Sequence, residues 1–117
     1  MRRDDEIRLR HMLEAARDAV KFIGGRPRKD LSDDRMLALA VVKAIEILGE
    51  AATKVSPETR KVCPQLPWDD IVGMRHRLIH AYFDINLDIV WRTLREDLPG
   101  LIVSIESVLS QQGSGGN

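Results

Sequence analysis

Two of the three histidines and the single tyrosine of this 117-residue chain lie in one short segment, residues 73–83. Within it, Arg75 precedes His80 by five positions. Arginine is permanently charged and its planar guanidinium fits a phosphate, whereas histidine exchanges a proton near neutral pH. The pair suits phosphodiester cleavage. Histidine would take the proton of a ribose 2′-hydroxyl or give one to the leaving 5′-oxygen, and arginine would stabilise the phosphorane oxygens without a metal.

The spacing alone leaves a plainer interpretation open. Positions five apart are separated by about 140° around an ideal helix, so Arg75 and His80 share a face only under one of two conditions. Either the arginine bends back along the axis, or the helix ends near His80. Otherwise the two residues are a surface cation and a half-buried imidazole.

His76 offers a second imidazole, four positions before His80. The pair has the spacing of the outer histidines of an H-E-x-x-H zinc motif. Arg77 stands where that motif has its glutamate, and no third ligand is evident, so we expect neither a metal nor another cofactor. His76 would orient the substrate or transfer a second proton, and a plain polar neighbour is the equal alternative.

Helices must position this segment, because all five prolines fall between stretches of helical periodicity. We predict an all-α bundle of five to six helices, at about residues 4–23, 32–54, 57–63, 68 to 79 or 80, 87–94 and 98–109. Asp30 or Ser32 would cap the second helix, Ser56 the third and Asn86 the fifth. No segment alternates with period two, so a sheet is not expected.

The composition predicts one small domain, residues 1–110, followed by a disordered tail at 111–117 that has three glycines in its last five residues. Eighteen basic residues balance eighteen acidic ones, so RNA binding would require a local basic patch. A lone Cys63 and the lack of a signal-peptide pattern favour the cytoplasm. The longest apolar stretch, Leu98 to Ile105, is far short of the ~20 residues that span a bilayer, so no membrane role is expected.

Arg75-x4-His80-Ala81-Tyr82 resembles the R-X4-H-X-Y signature of the HepT-like group of HEPN ribonucleases. Three further blocks look like recurring blocks of that family, at residues 43–52, 68–75 and 83–91. The resemblance extends from the first helix to about Leu109. The bare R-X4-H pattern is weak, but several blocks in order identify the chain as a member of the family.

The resemblance implies a toxin that is a metal-independent RNA endonuclease, with Arg75 and His80 as the catalytic pair of each subunit. It also implies a HEPN-like homodimer whose two signature segments face one cleft. Two copies of the signature cations would form a basic groove, in which Arg77 would bind the substrate. Family members often have asparagine where this chain has His76, which puts the division of labour between the histidines in doubt.

The family's partner is a small nucleotidyltransferase antitoxin that transfers AMP to the signature tyrosine, here Tyr82. The added phosphate would compete with the RNA phosphate for Arg75 and His80. Without the signature, Tyr82 would be a buried or interface tyrosine. The alternatives to an active toxin are a catalytically silent HEPN dimer that binds RNA or protein, and a purely structural dimer.

Several other residues have either two possible interpretations or a purely structural one. Glu46 either points toward the site or is solvated or paired with a lysine, and the same holds for Glu50. The basic residues before and within the first loop either widen the groove or are solvated, the latter being favoured: Lys21, Arg26, Arg28 and Lys29. The remaining candidates are expected to be structural: Trp68 and Trp91 as core anchors, Cys63 as an unreactive thiol, and His11 as a partly buried residue.

Overall fold

A computed structural model describes residues 1–81 and 84–115, with side chains for residues 1–78 and 84–111. The all-α prediction is confirmed for this part of the chain. In chain order the elements are α1 (Arg3–Ile23), α2 (Lys29–Asp33), α3 (Arg35–Thr53), α4 (Pro57–Val62), α5 (Trp68–Leu78), β1 (Ile79–Ala81), β2 (Asp84–Ile85), α6 (Leu87–Arg92), a π-helical turn (Thr93–Asp97) and α7 (Leu98–Gly115).

The helices α1 and α3 form the centre of the bundle and run antiparallel. The start of α1 lies beside the end of α3, where Asp5 accepts hydrogen bonds from Ser56. Apolar residues at three- and four-residue steps give each helix a buried stripe, and α5 and α7 cover the rest of that core. Fully buried members include Leu9, Met12, Val41, Ile45 and Leu48.

The start of α3 differs from the prediction. Asp34, not Asp30 or Ser32, caps the helix, because its side chain accepts a hydrogen bond from the Leu37 N–H at 3.1 Å. Its extended backbone separates α3 from the short helix α2. The predicted caps of α4 and α6 are confirmed: Ser56 accepts from the Thr59 N–H, and Asn86 accepts from the Ile89 N–H.

The end of α5 also differs, because the helix stops at Leu78 and an antiparallel strand pair follows. In the backbone register Ile79 of β1 pairs with Ile85 of β2, and the Asn86 N–H donates to the Leu78 carbonyl at 2.7 Å. The expectation of no sheet is therefore wrong at this point. Strands of three and two residues are too short to show a period-two pattern in the sequence.

Pro99 does not separate two helices as predicted, because α6, the π turn and α7 form one continuous helical run. Proline has no N–H, and its ring clashes with the carbonyl four positions earlier in a regular helix. Here that position lies in the π turn, where the Leu98 N–H donates to the Thr93 carbonyl.

The last helix is longer than predicted, since helical backbone continues to Gly115. Residues 116 and 117 lie outside the described part, and the division into a domain and a tail stays a prediction. None of the helices described here is both long and apolar enough to cross a membrane.

Candidate active site

Arg75 lies in the last turn of α5, where its side chain is 55% exposed and faces α3. Its Nε atom is 3.6 Å from Oε2 of Glu46, whose side chain is only 27% exposed. Gly49 of α3 permits α5 to pack this closely. A Cβ atom at that position would lie 3.3 Å from the Ile71 carbonyl oxygen, which is closer than an ordinary van der Waals contact. Glu46 therefore points toward Arg75, and its predicted auxiliary role stays a prediction.

Arg75 and Glu46 line one wall of a cleft of about 370 Å³ between α1, α3 and α5. This volume is near the lower end of the range of about 300–1,000 Å³ that small-ligand sites occupy. The other polar residues of the cleft are Arg8, His11, Lys43, Glu50 and Lys54. Two arginines and two lysines against two glutamates give the cleft a formal charge of +2. The chain is neutral as a whole, but this cleft attracts anions.

His11 is the clearest correction among the candidate residues. The sequence predicted a partly buried structural histidine, whereas the structure exposes His11 at the cleft that contains Arg75. Arg8 and Lys43 were missed altogether. The available signal was weak: Arg8 and His11 are three positions apart, so they lie on one face of α1. Which helix that face meets depends on the packing of the bundle.

The end of α5 meets one of the two conditions for bringing Arg75 and His80 together. The helix ends at Leu78, and His80 belongs to β1, so the backbone leaves the helix between the two residues. The His80 side chain lies outside the described residues, and so does all of Tyr82. Their predicted roles in catalysis and in modification therefore stay predictions.

Arg77 lies on a different surface from Arg75. Its Nη2 atom donates to the Asp70 carbonyl at 3.0 Å, and its Nη1 atom is 3.6 Å from Asp70 Oδ1. The surrounding groove contains two more carboxylates, Glu96 and Asp97. Positions two apart are separated by about 200° on a helix, so one chain does not bring the two arginines into one cleft. Substrate binding by Arg77 stays a prediction.

The described side chains contain no group of three or more histidine, cysteine, aspartate or glutamate residues placed to hold a metal ion. His76 is exposed, and its pairing with His80 is not tested. Cys63 is buried, and burial raises the pKa of its thiol, which disfavours the reactive thiolate.

The tryptophans are partly buried and pack against the core. Trp68 Nε1 donates to the Cys63 carbonyl at 3.0 Å, with the Arg60 guanidinium 5.5 Å from the ring centroid. Trp91 has the guanidinium of Arg95 at 5.4 Å from its ring centroid. These contacts support their prediction as structural anchors.

The basic residues of the first loop are paired with carboxylates of the same chain. Arg26 contacts Asp30 at 2.7 Å and Asp34 at 3.1 Å. Arg28 contacts Asp88 at 2.6 Å, and Lys29 contacts Asp33 at 3.1 Å. These ion pairs favour the interpretation that the loop cations are solvated rather than part of a phosphate-binding groove. Lys21 is an exposed residue of α1.

Comparisons with known proteins agree on one family. The family described as ribonuclease HepT-like matches residues 12–108. A protein of Methanocaldococcus jannaschii is 34% identical over 92% of this chain and 98% of its own length, and one of Caldanaerobacter subterraneus is 33% identical over 89% and 93%. Both are provisionally named RNases. A protein of Thermococcus cleftensis, provisionally named ribonuclease HepT, is 34% identical over 76% of this chain and 84% of its own length. No solved structure matches the chain.

Proposed function

Because the chain belongs to the HepT-like ribonuclease family, we propose that it is a metal-independent endoribonuclease with Arg75 and His80 as its catalytic pair. The observation that carries the proposal is the placement of Arg75 in a cationic cleft, held by Glu46, on the last helical turn before the strand that contains His80. The provisional RNase names of relatives that share most of their length with this chain support the same activity.

The reaction needs one proton removed and one proton delivered. The 2′-oxygen loses its proton and attacks the adjacent phosphorus, and the bond from phosphorus to the 5′-oxygen breaks as that oxygen takes up a proton. The products are a 2′,3′-cyclic phosphate and a free 5′-hydroxyl. His80 transfers a proton, and Arg75 stabilises the negative charge that builds up on the phosphorane oxygens.

Glu46 acts on this reaction through Arg75. A carboxylate 3.6 Å from Nε restricts the orientations of a guanidinium that is otherwise half exposed. Exposed ion pairs of this kind contribute little to stability, about 0–1 kcal/mol, so the role of the pair is to position the arginine. His76 is an auxiliary residue that orients the RNA.

The enzyme is a homodimeric toxin that an AMP-transferring antitoxin inactivates. In the dimer the two signature segments face one cleft. A nucleotidyltransferase antitoxin transfers AMP from ATP to the hydroxyl of Tyr82, two positions after His80, and releases pyrophosphate. The phosphate of the attached AMP then competes with the RNA phosphate for Arg75 and His80.

The first experiment uses the protein purified with and without the antitoxin gene. Intact mass gives the number of AMP groups, and each sample is then incubated with RNA in EDTA. We expect the unmodified protein to cleave RNA, to leave cyclic phosphate ends, and to spare DNA of the same sequence. A well-folded unmodified protein that cleaves nothing contradicts the proposal, and cleavage that EDTA abolishes points to the His76–His80 metal site.

The catalytic assignment is tested with Arg75→Ala and His80→Ala, against Lys61→Ala as a control. Lys61 is an exposed lysine of α4 that does not line the Arg75 cleft. Both catalytic variants should remain folded by circular dichroism and lose cleavage, whereas the control should cleave normally. A folded double variant that still cuts RNA refutes the assignment.

The modification is tested separately with Tyr82→Phe. This variant should cleave RNA, should gain no AMP when it is produced with the antitoxin, and should remain toxic. Rescue of growth that persists in Tyr82→Phe without added AMP contradicts the switch and leaves the nuclease assignment untouched.

A further inference from the structure

The Arg75 cleft contains more positive charge than the catalytic pair accounts for. Arg8 enters it from α1 and Lys43 from α3. Neither residue forms an ion pair or a hydrogen bond with any side chain that the structure describes, whereas Lys54 lies 3.9 Å from Glu50 and Arg75 lies 3.6 Å from Glu46. Arg8 and Lys43 are therefore cations without a carboxylate, next to the residue that is proposed to bind the reacting phosphate.

The positive charge of the Arg75 cleft does not extend along the whole groove between α1 and α3. Past His11 and Lys43 the same groove between α1 and α3 continues, but its polar lining changes to Glu14 and Asp18, and apolar side chains such as Phe22 and Ile47 fill the rest. The two carboxylates of this extension outnumber its one lysine, so its formal charge is negative and only the half that contains Arg8, Lys43 and Arg75 attracts phosphate.

The groove around Arg77 provides the opposite case on the same molecule. It contains three carboxylates, Asp70, Glu96 and Asp97, against the single arginine. Its formal charge is negative, and its arginine already contacts Asp70. Of these two grooves beside α5, the one between α1 and α3 is the one whose charge suits a polyanion.

We propose that Arg8 and Lys43 form a phosphate-binding subsite, which holds an RNA backbone phosphate next to the one that is cleaved at Arg75. The inference rests on the proposed function for the identity of the polyanion. Contacts of this kind bind the backbone equally in the ground state and the transition state, so their loss raises KM and leaves kcat largely unchanged. Such contacts also add to the salt dependence of binding, by about 0.7 in the slope for each phosphate neutralised on a single strand.

The test compares the double variant Arg8→Gln/Lys43→Gln with the control Lys61→Gln/Arg92→Gln. The control removes the same charge from exposed positions that do not line the cleft. In RNA cleavage we expect the KM of the Arg8/Lys43 variant to rise about tenfold or more while kcat changes less than about threefold. The control variant should have the same KM as the protein without substitutions. Thermal unfolding of all the proteins verifies that they are folded.

A second measurement does not depend on catalysis. Binding of a fluorescent single-stranded DNA oligonucleotide, which has the phosphates but not the 2′-hydroxyls, is followed by anisotropy between 50 and 200 mM salt. The slope of log affinity against log salt should fall by about 0.7 in the Arg8/Lys43 variant, because one phosphate contact is lost, and stay unchanged in the control.

The outcomes separate the two proposals. If the starting protein cleaves RNA but the Arg8/Lys43 variant matches the control in KM and salt slope, the subsite is refuted and the nuclease stands. If the protein cleaves nothing but the slope falls as expected, the subsite stands and the nuclease fails. No oligonucleotide binding at 50 mM salt, or an equal loss in the control, overturns the subsite.

Discussion

Asp5 is a buried carboxylate that ties the start of α1 to the turn between α3 and α4. It is only 3% exposed. It accepts hydrogen bonds from the Ser56 N–H at 2.9 Å, from the Ser56 hydroxyl at 2.6 Å and from the Thr59 hydroxyl at 2.5 Å. Because α1 also carries Arg8 and His11, this cluster holds one wall of the cleft in place. Replacing Asp5 therefore tests the framework behind the site.

The expected cost of Asp5→Ala follows from those three bonds. A hydrogen bond to a charged group contributes about 1.5–3 kcal/mol, and a buried donor left without a partner costs about 1–3 kcal/mol. The two hydroxyls can turn toward other acceptors, so the contributions do not simply add. We expect the free energy of unfolding to fall by about 3 kcal/mol in total. At about 4 °C per kcal/mol for a domain of this size, the melting temperature falls by about 12 °C.

The assay is urea unfolding at pH 7, followed by circular dichroism, with Asp4→Ala as the matched control. Asp4 lies in the same first turn of α1 but is exposed. Its loss removes only a favourable interaction with the helix dipole, worth about 0.3–1 kcal/mol. If Asp5→Ala destabilises the protein by no more than Asp4→Ala does, the reasoning about the buried cluster is wrong.

The pH dependence provides an independent readout. Burial alone would raise the pKa of Asp5, but the hydrogen bonds from Ser56 and Thr59 outweigh it and hold the pKa below its ordinary value of 3.8. The carboxylate therefore stabilises the folded state above pH 3.8 and loses this effect as the pH falls through its lowered pKa. The stability difference between the unsubstituted chain and Asp5→Asn should shrink below about pH 4. A difference that stays constant down to pH 2 contradicts this assignment.

Three single residues, Gly24, Asn86 and Cys63, allow further tests of the structure. Gly24 ends α1 with φ +51°, a backbone conformation that costs other residues about 1–3 kcal/mol. We therefore expect Gly24→Ala to lower the free energy of unfolding and Gly25→Ala to leave it unchanged. Equal urea midpoints for the two variants would refute this. Asn86→Ala removes the cap of α6 and should lower the free energy of unfolding by about 1 kcal/mol in the same assay. Cys63, buried with a raised thiol pKa, should react with iodoacetamide only on unfolding, and rapid labelling of the native protein would contradict its placement.

Local patterns determined most of the helices and the family. The apolar stripes of α1 and α3, the Ser56 and Asn86 caps and the stop after Ile23 all depend on residues within a few positions of each other. The family signature is equally local. Such features can be predicted without knowing what packs against them, and the HepT-like match confirms the family.

Other local features were missed because two local signals competed. Three residues near the start of α3 are good caps, and only the structure selects Asp34, whose backbone is extended where α2 ends. Similarly, Pro99 signals a break, but the π turn before it lets the helix continue. In each case the packing around the segment decides between two conformations that have similar local preferences.

The cleft itself was decided by tertiary structure alone. Its cations come from three helices, with Arg8 on α1, Lys43 on α3 and Arg75 on α5, and no spacing in the sequence relates them. The close approach of α5 to α3 at Gly49 and the tie from Asp5 to Ser56 determine which faces meet. The residue types that are available for phosphate chemistry can be read from local sequence. Which of them share one cleft follows from the packing of helices whose contacting residues are tens of positions apart.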